Sequence, residues 1–317
     1  MECADYGDMT TVLVNTQTPT NSPSTFGVNV ATTMFLLLPV AGFAAAFIFS
    51  LTPSPAIIVT TVVMYYLSMF GITIGWHRGL THGGFRTSPR IRELMTIAGC
   101  LAFQGSPVGW VASHRQHHQF SDQPGDPHSP WTVREGRFFR LRGFWHAQSG
   151  WLYDGVDTDT QRYAPDLLKD PVVMRVERYW WLYGLAGLVV IPAAVGFLVD
   201  GWLGAVTCVV WAGLIRLGFS HFFAWMTNSA GHMFGLRPFR TRDNSTNIWW
   251  MVPFTVGEGW HNGHHAYATS PRHGLLKGQL DPSARVIRWG ERLGIVTGAK
   301  WMSDEKVAKK LKPRSEW

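Results

Sequence analysis

Three histidines lie within five positions of one short stretch, GEGWHNGHHAY, which covers residues 257–267. Successive residues of an α-helix turn by about 100°, so positions i, i+3 and i+4 share one face. The imidazoles of His261, His264 and His265 are therefore expected to converge on a single point. Iron, zinc, copper and nickel all accept imidazole nitrogen as a ligand, and the spacing predicts a metal site.

Six further histidines fall in three other short motifs, HRGLTH, HRQHH and NSAGH: His77, His82, His114, His117, His118 and His232. One zinc site uses three or four protein ligands, so nine nitrogen donors predict two metal ions that share them. Glu258, Asp122 and His128 lie close to these motifs in the sequence and are candidates for holding the imidazoles in orientation. A solvated or helix-capping role is the alternative for each of the two carboxylates. His146 and His273 are isolated and are interpreted as ordinary polar histidines.

Two long apolar stretches dominate the chain, which is 46% hydrophobic, only 15% charged and contains 16 tryptophans. The first covers 28–76 and is interrupted by the two prolines of 52–55, and the second covers 179–225 with a turn at Asp200 and Gly201. Each arm holds roughly 20 residues, enough to cross the hydrocarbon of a bilayer. These lengths predict two transmembrane hairpins and disfavour buried hairpins in a large soluble core.

The distribution of positive charge sets the expected orientation. Lys and Arg are absent from 1–76 and 179–215, whereas 77–178 and 237–317 together carry 27 of the 28. Cytoplasmic segments of membrane proteins are enriched in Lys and Arg. The sequence therefore predicts an all-α integral membrane protein with four transmembrane helices as two hairpins, and a cytoplasmic helical cap that carries a histidine-rich di-metal site.

This topology divides the chain into five segments. They are a disordered tail at 1–27, transmembrane hairpin 1 at 28–76, a cytoplasmic or interfacial segment at 77–178, transmembrane hairpin 2 at 179–232, and a cytoplasmic cap with a basic tail at 233–317. The tail has no basic region followed by an apolar core, so it is not a signal peptide. Topology accounts for the net charge of +7, and no nucleic-acid partner is expected.

The histidine motifs, H-x4-H followed by two H-x2-HH, together with spans grouped two and two, resemble the membrane fatty-acid desaturase family, in particular its Δ9 (stearoyl-CoA-desaturase-like) branch. The stretches GEGWHNGHHAY, HRQHHQFSDQPGDPHSP and GFWHAQSGWLYD are similar to those of bacterial and cyanobacterial members, and the resemblance runs from about residue 30 to about 280. It implies two iron ions, O2 as oxidant, a ferredoxin-like or cytochrome-b5-like electron donor, and a bent apolar tunnel for a fatty acyl chain. A bacterial cytoplasmic membrane is the expected location, with both termini and the metal site in the cytoplasm.

Carried over to this sequence, the resemblance makes the nine histidines iron ligands and gives Asn228 a contact to one iron through water. It places Trp225 and Gln104 along the tunnel, and Tyr65 at its floor. Helical phase instead puts the neighbouring Tyr66 on the face of His77, so the two arguments differ by one residue.

One motif departs from the family pattern. Animal acyl-CoA members have Arg-Asp before the second histidine motif, where this chain has Ala112 and Ser113. The acyl carrier therefore stays open among CoA, membrane lipid, carrier protein and the free acid. The expected reaction is O2-dependent formation of a cis double bond at Δ9.

Three other functions are alternatives to desaturation. The first is hydroxylation, or decarboxylation to a terminal alkene, at a related di-iron centre. The second is a membrane zinc hydrolase, although nine ligands exceed its needs. The third is a metal transporter, which the nearly complete lack of polar residues in the first three spans disfavours.

Overall fold

The computed structural model describes residues 25–132, 136–155 and 158–317, so most of the predicted tail, 1–24, lies outside the described residues. The fold is predominantly helical, as predicted. Its α-helices, in chain order, are α1 Thr25–Ile48, α2 Pro55–Phe70, α3 Pro89–Cys100, α4 Pro107–Phe120, α5 Phe139–Gln148, α6 Thr160–Tyr163, α7 Pro171–Leu185, α8 Ile191–Cys208, α9 Arg216–Ser229, α10 His261–Ala266, α11 Pro282–Arg292 and α12 Asp304–Lys310. A short antiparallel ribbon, β1 Arg86–Thr87 with β2 Val296–Thr297, departs from the all-α prediction.

Five helices start by the same local rule, a Ser or Asp N-cap followed by proline at the first helical position. The cap side chain accepts a backbone N–H that the helix leaves unpaired, and the fixed φ of proline suits the first turn. The caps of α2, α3, α4, α7 and α11 are Ser54, Ser88, Ser106, Asp170 and Asp281. Two of these five helices lead to or carry histidines, since α2 runs into the segment with His77 and α4 holds His114, His117 and His118.

Helix α2 continues without a break into a π-helical segment, Gly71–Thr81, which carries His77. Wider π turns inside helices are frequent at functional sites. A Cβ on Gly71 would lie 2.3 Å from the carbonyl carbon of Ala98, and one on Gly75 would lie 2.7 Å from the carbonyl oxygen of Met95. The two glycines therefore let this segment lie directly against the backbone of α3.

Two continuous helical stretches are long and apolar enough to cross a membrane, Pro55–Thr81 and Pro171–His232, and a shorter apolar stretch covers Thr32–Ile48. Many of their large apolar side chains point outward. Phe47 and Leu198 are 87% and 86% exposed, which is the surface expected of helices that contact lipid rather than water.

The longer stretch is not a single rod. At Asp200 and Gly201 the backbone leaves helical geometry, with φ of −153° and 54°. A Cβ on Gly196 would lie 2.2 Å from the carbonyl oxygen of Gly204, so the chain folds back on itself there. The reversal lies at the turn that the sequence predicts.

Candidate metal centre

All nine motif histidines lie at one end of the helical bundle. His77 is on the π-helical extension of α2, His82 follows that extension, and His232 ends the 3-10 turn after α9. The remaining six are on two helices, α4 and α10, each of which carries one H-x2-HH motif: His114, His117, His118, His261, His264 and His265.

Five of these imidazoles form a first cluster: His77, His82, His114, His118 and His264. One nitrogen from each lies within 4.8 Å of the others. The Nε2 atom of His264 lies 3.0 Å from that of His77 and 2.9 Å from that of His118. The Nε2 atoms of His114 and His118 are 3.1 Å apart.

The other four form a second cluster: His117, His232, His261 and His265. The Nε2 atom of His261 lies 2.9 Å from that of His232 and 3.0 Å from that of His265. The two clusters are adjacent, because the rings of His118 and His265 stack with their centroids 4.5 Å apart.

The expectation that each H-x2-HH motif points at one place is wrong. In both motifs the residues at i and i+4 enter one cluster and the residue at i+3 enters the other. Positions i and i+4 differ by about 40° around a helix, whereas i+3 lies about 60° to the opposite side. Each helix therefore supplies both clusters.

Carboxylates hold four of the imidazoles by their other nitrogen. The Nδ1–H groups of His117, His232 and His265 donate to Asp126, Asp122 and Asp243 at 2.9, 2.9 and 2.7 Å. The Nδ1 atom of His77 lies 2.9 Å from Glu258 Oε2. Such partners fix the tautomer and leave the Nε2 lone pair directed at the cluster.

Asp122 reaches His232 because the chain turns sharply after α4. Its φ is 62°, in the left-handed region that few residues other than glycine, asparagine and aspartate adopt. The same carboxylate accepts from Asn244 N at 2.6 Å and from Ser129 Oγ at 2.6 Å. These bonds lock the turn and the carboxylate together.

Glu258 is the centre of a buried ionic network. Arg78 Nη2 donates to Glu258 Oε1 at 3.2 Å, and Arg78 Nη1 donates to Asp281 Oδ1 at 2.9 Å. His273 packs on His264, with ring centroids 4.3 Å apart, and its Nδ1 lies 3.1 Å from Glu258 Oε2. The interpretation of His273 as an isolated polar residue is therefore wrong.

The electrostatics keep most of the imidazoles neutral. Burial, reinforced by neighbouring imidazoles, lowers the pKa of His82, His114, His118 and His264 well below the ordinary value. Burial alone would lower the pKa of His117, but the adjacent Asp126 raises it above the ordinary value. Neutral imidazole is the form that binds a metal ion.

The donor set fits a metal. In the neutral tautomer that donates through Nδ1, His117, His232 and His265 each direct an Nε2 lone pair into the second cluster. The Nε2 atoms of His82 and His117 are buried and have no hydrogen-bond partner among the described residues. Converging lone pairs repel one another unless a cation lies between them, and imidazole sets of this kind bind iron or zinc.

A cavity of about 810 Å³ leads to both clusters. His77 and His114 of the first cluster and His261 of the second line it. Its apolar wall includes Phe35, Met69, Ile72, Phe103, Trp110, Trp180 and Trp225. The volume lies within the range of about 300–1,000 Å³ that is typical of small-ligand sites.

The structure places Trp225, Gln104, Asn228 and His128 on this cavity wall. His128 lies beside the second cluster, with its ring centroid 4.7 Å from that of His117. The Nε2 of Gln104 is buried without a hydrogen-bond partner among the described residues. These four predicted residues are therefore together with the histidines.

The two tyrosines predicted at the tunnel floor are not on the wall of this cavity. Tyr65 turns away and donates through its hydroxyl to Phe254 O at 2.7 Å, and Tyr66 lines a separate groove. Met69 and Ile72 occupy the wall on this helix instead. For Tyr66, the helical phase was carried back from His77 at about 100° per residue through a π-helical segment, where each residue turns by less. The position of Tyr65 was implied by the resemblance alone.

The family model "Fatty acid desaturase" matches residues 53–279. The chain belongs to the fatty acid desaturase family. It is accordingly an oxidoreductase that acts on acyl chains.

Relatives within the desaturase family cover most of the chain. It is 40% identical to the hex-5-enoyl-[acyl-carrier protein] acetylenase of Moorena producens (strain JHB), over 78% of each protein. It is 34% identical to the sn-1 stearoyl-lipid 9-desaturase of Anabaena variabilis, over 88% of this chain and 96% of that protein. Delta-9 acyl-lipid desaturase 1 of Arabidopsis thaliana is also 34% identical, over 79% and 77%.

Several residues that contact the two histidine clusters were not predicted from the sequence. Asp126 and Asp243 hold His117 and His265, and Arg78 and His273 contact Glu258. A ligating imidazole normally donates its second N–H, so the motif histidines predict carboxylate acceptors in nearby polar turns such as those that hold Asp126 and Asp243.

Proposed function

We propose that this protein is an O2-dependent di-iron acyl desaturase that introduces a cis double bond, at Δ9, into a saturated acyl chain. The observation that carries the proposal is the meeting of two histidine clusters with one apolar cavity, whose wall includes His77, His114 and His261. An acyl chain in that cavity would have its methylenes beside both clusters.

The first cluster would hold one iron and the second cluster the other, with Asn228 reaching one of them through a water molecule. Iron there would activate dioxygen to take one hydrogen from each of two adjacent methylenes, while two electrons and two protons complete the reduction of dioxygen to water. The carboxylates of Asp122, Asp126, Asp243 and Glu258 would keep the imidazoles in place throughout.

The protein's own contribution is to bind, orient and enclose the acyl chain. The aromatic and aliphatic wall of the cavity excludes water and holds the chain by apolar contact. Trp225 and Gln104 lie on this wall, and we assign to them the shaping of the tunnel near the metals. A bend imposed there would give the new double bond its cis geometry.

We further propose four membrane spans as two hairpins, with the segments 77–178 and 233–317 and both termini in the cytoplasm of a bacterial cell. The backbone reversal at Asp200 and Gly201 and the outward apolar side chains support two spans within Pro171–His232. The electron donor would be a small acidic redox protein, ferredoxin-like or cytochrome-b5-like, that meets the basic cytoplasmic segments.

We propose a membrane lipid or an acyl-carrier protein as the acyl carrier, with CoA and the free acid as the alternatives. Ala112 is buried, Ser113 lines the cavity, and neither side chain carries a charge that could bind a CoA phosphate. Among the relatives, the printed activities include both a stearoyl-lipid desaturase and an acetylenase of a carrier-protein thioester. The second of these makes acetylenic bond formation a further candidate reaction.

Expression in a host that lacks desaturation tests the proposal. Lipid, carrier-protein and free-acid fractions are separated, and double bonds are located by mass spectrometry. We expect a new cis-Δ9 monounsaturated acid in one fraction. A profile identical to that of the empty host, with the protein present in the membrane, would refute it.

A further inference from the structure

Helix α11 is attached to the histidine-bearing end of a candidate membrane span. Ile287 is 1% exposed and packs with Ile74 and Phe85. The Ser283 Oγ atom lies 2.9 Å from Thr73 Oγ1. Thr73 and Ile74 belong to the last turns of the stretch Pro55–Thr81, so these contacts hold α11 at the end of that span.

A second face of α11 is apolar and exposed. Val286 and Trp289 of the helix and Leu293, the residue that directly follows it, have the spacing i, i+3 and i+7 and are 41%, 63% and 74% exposed. Nearby, an open apolar groove of about 540 Å³ is lined in part by Trp249 and Leu280. The groove also includes Tyr66 and Phe70 of α2. The exposed apolar surface of the span therefore continues through this groove to Pro282 at the start of α11.

A third face of α11 is basic and borders the apolar one. Arg285, Arg288 and Arg292 are exposed and repeat the i, i+3, i+7 spacing. Arg288 pairs with Glu291 at 3.4 Å and lies 3.8 Å from the ring centroid of Trp301. Within the described ranges, no acidic side chain lies at ion-pair distance from the other two arginines.

We propose that α11 is an interfacial helix that binds anionic phospholipid of the leaflet at the histidine-bearing end of the bundle. At about 100° per residue, the arginine stripe is centred roughly 100° from the Val286, Trp289 and Leu293 stripe. A helix in the membrane surface needs this arrangement, in which apolar side chains enter the acyl region and arginines reach sideways to phosphate. Tryptophan is also enriched at this depth.

Lipid explains these features better than a protein partner does. An acidic protein would complement the arginines but would leave a continuous apolar surface that runs from the span to α11 unexplained. Zwitterionic lipid would cover the apolar stripe but would not compensate Arg285 and Arg292. The proposal requires the stretch Pro55–Thr81 to lie in a bilayer, and it is independent of the reaction at the metal centre.

The test uses the full chain with an environment-sensitive fluorophore at Leu293→Cys. Cys100 and Cys208 are buried, and Cys3 is replaced by serine, so the label enters one position. The protein is reconstituted into nanodiscs that contain phosphatidylcholine with a small fraction of quencher lipid, either doxyl-phosphatidylcholine or doxyl-phosphatidylglycerol. Arg285→Gln/Arg292→Gln is compared with Lys306→Gln/Lys309→Gln, which removes the same charge from α12.

In the parent, we expect the phosphatidylglycerol quencher to be about five- to tenfold more effective per molecule, since each surface arginine favours anionic lipid. The preference should disappear in the arginine variant and persist in the lysine control. Equal quenching by the two lipids in the parent would overturn the headgroup assignment. Quenching by aqueous iodide alone would show that α11 lies away from the bilayer and would overturn the proposal entirely.

Discussion

His261 and His264 lie three residues apart on the single short helix α10, yet their Nε2 atoms enter different clusters. His261 Nε2 lies 2.9 Å from His232, and His264 Nε2 lies 3.0 Å from His77. The short helix α10 therefore contacts both His232, which follows α9, and His77 on the extension of α2. The consequence is that substitutions on α10 should affect the two metal positions separately.

We expect the parent protein to hold two iron ions and His264→Ala to lose chiefly the iron of the first cluster. Turnover should fall by at least about a hundredfold, because both clusters face the substrate cavity and a missing ligand alters the remaining geometry. Iron is measured by elemental analysis of the purified protein. His146→Ala is the matched control, since His146 is in neither cluster. Full iron content and full turnover in His264→Ala would contradict the assignment of His264 as an iron ligand.

Asp126→Asn should weaken iron binding in the second cluster by about 10- to 100-fold. Asp126 is buried, and although burial by itself raises the pKa of its carboxyl, the adjacent His117 imidazole holds that pKa below the ordinary value. The amide would keep the shape but lose the charge that orients His117. Competition with a chelator measures the affinity. Asp166→Asn, which alters a half-exposed partner of Arg115, should leave affinity unchanged.

Much of the site was predictable because it depends on local spacing. The nine histidines and the reversal at Asp200 follow from residue types and periodicity. The division of each H-x2-HH motif between two clusters depends on how α4 and α10 lie against each other, and Asp243 joins the site only through tertiary packing. The face on which Tyr66 lies could not be obtained either, because a π-helical segment changes the helical phase between it and His77.

Met69→Trp should shift the products toward shorter acyl chains without moving the double bond relative to the carboxyl end. Met69 lies on the cavity wall eight residues before His77, so a larger side chain shortens the space beyond the metals and leaves the metals in place. Tyr65→Ala is the control, because Tyr65 is not on that wall. Chain-length profiling after expression measures both. The wall assignment is wrong if Tyr65→Ala changes chain length and Met69→Trp does not.

Turnover that depends on an acidic electron donor should slow as ionic strength rises. The two segments that carry eight of the nine histidines also carry most of the positive charge, and complementary charge accelerates encounter. At physiological ionic strength the screening length is about 8 Å, so the donor-dependent rate should fall severalfold from its low-salt value. A soluble uncharged reductant serves as the control and should show little salt dependence. Salt-independent turnover with the protein donor would contradict this prediction.

Perdeuterated stearate supplied to cells that express the chain tests the reaction itself most directly. Mass spectrometry of the recovered acyl groups reports how many deuterons leave and whether oxygen enters. We expect a product that has lost two deuterons from adjacent carbons and gained no oxygen, and whose formation requires both iron and dioxygen. A product that has lost one deuteron and gained a hydroxyl, or a terminal alkene shortened by the carboxyl carbon, would contradict desaturation. Acyl hydrolysis that continues without dioxygen and depends on zinc would contradict the whole assignment.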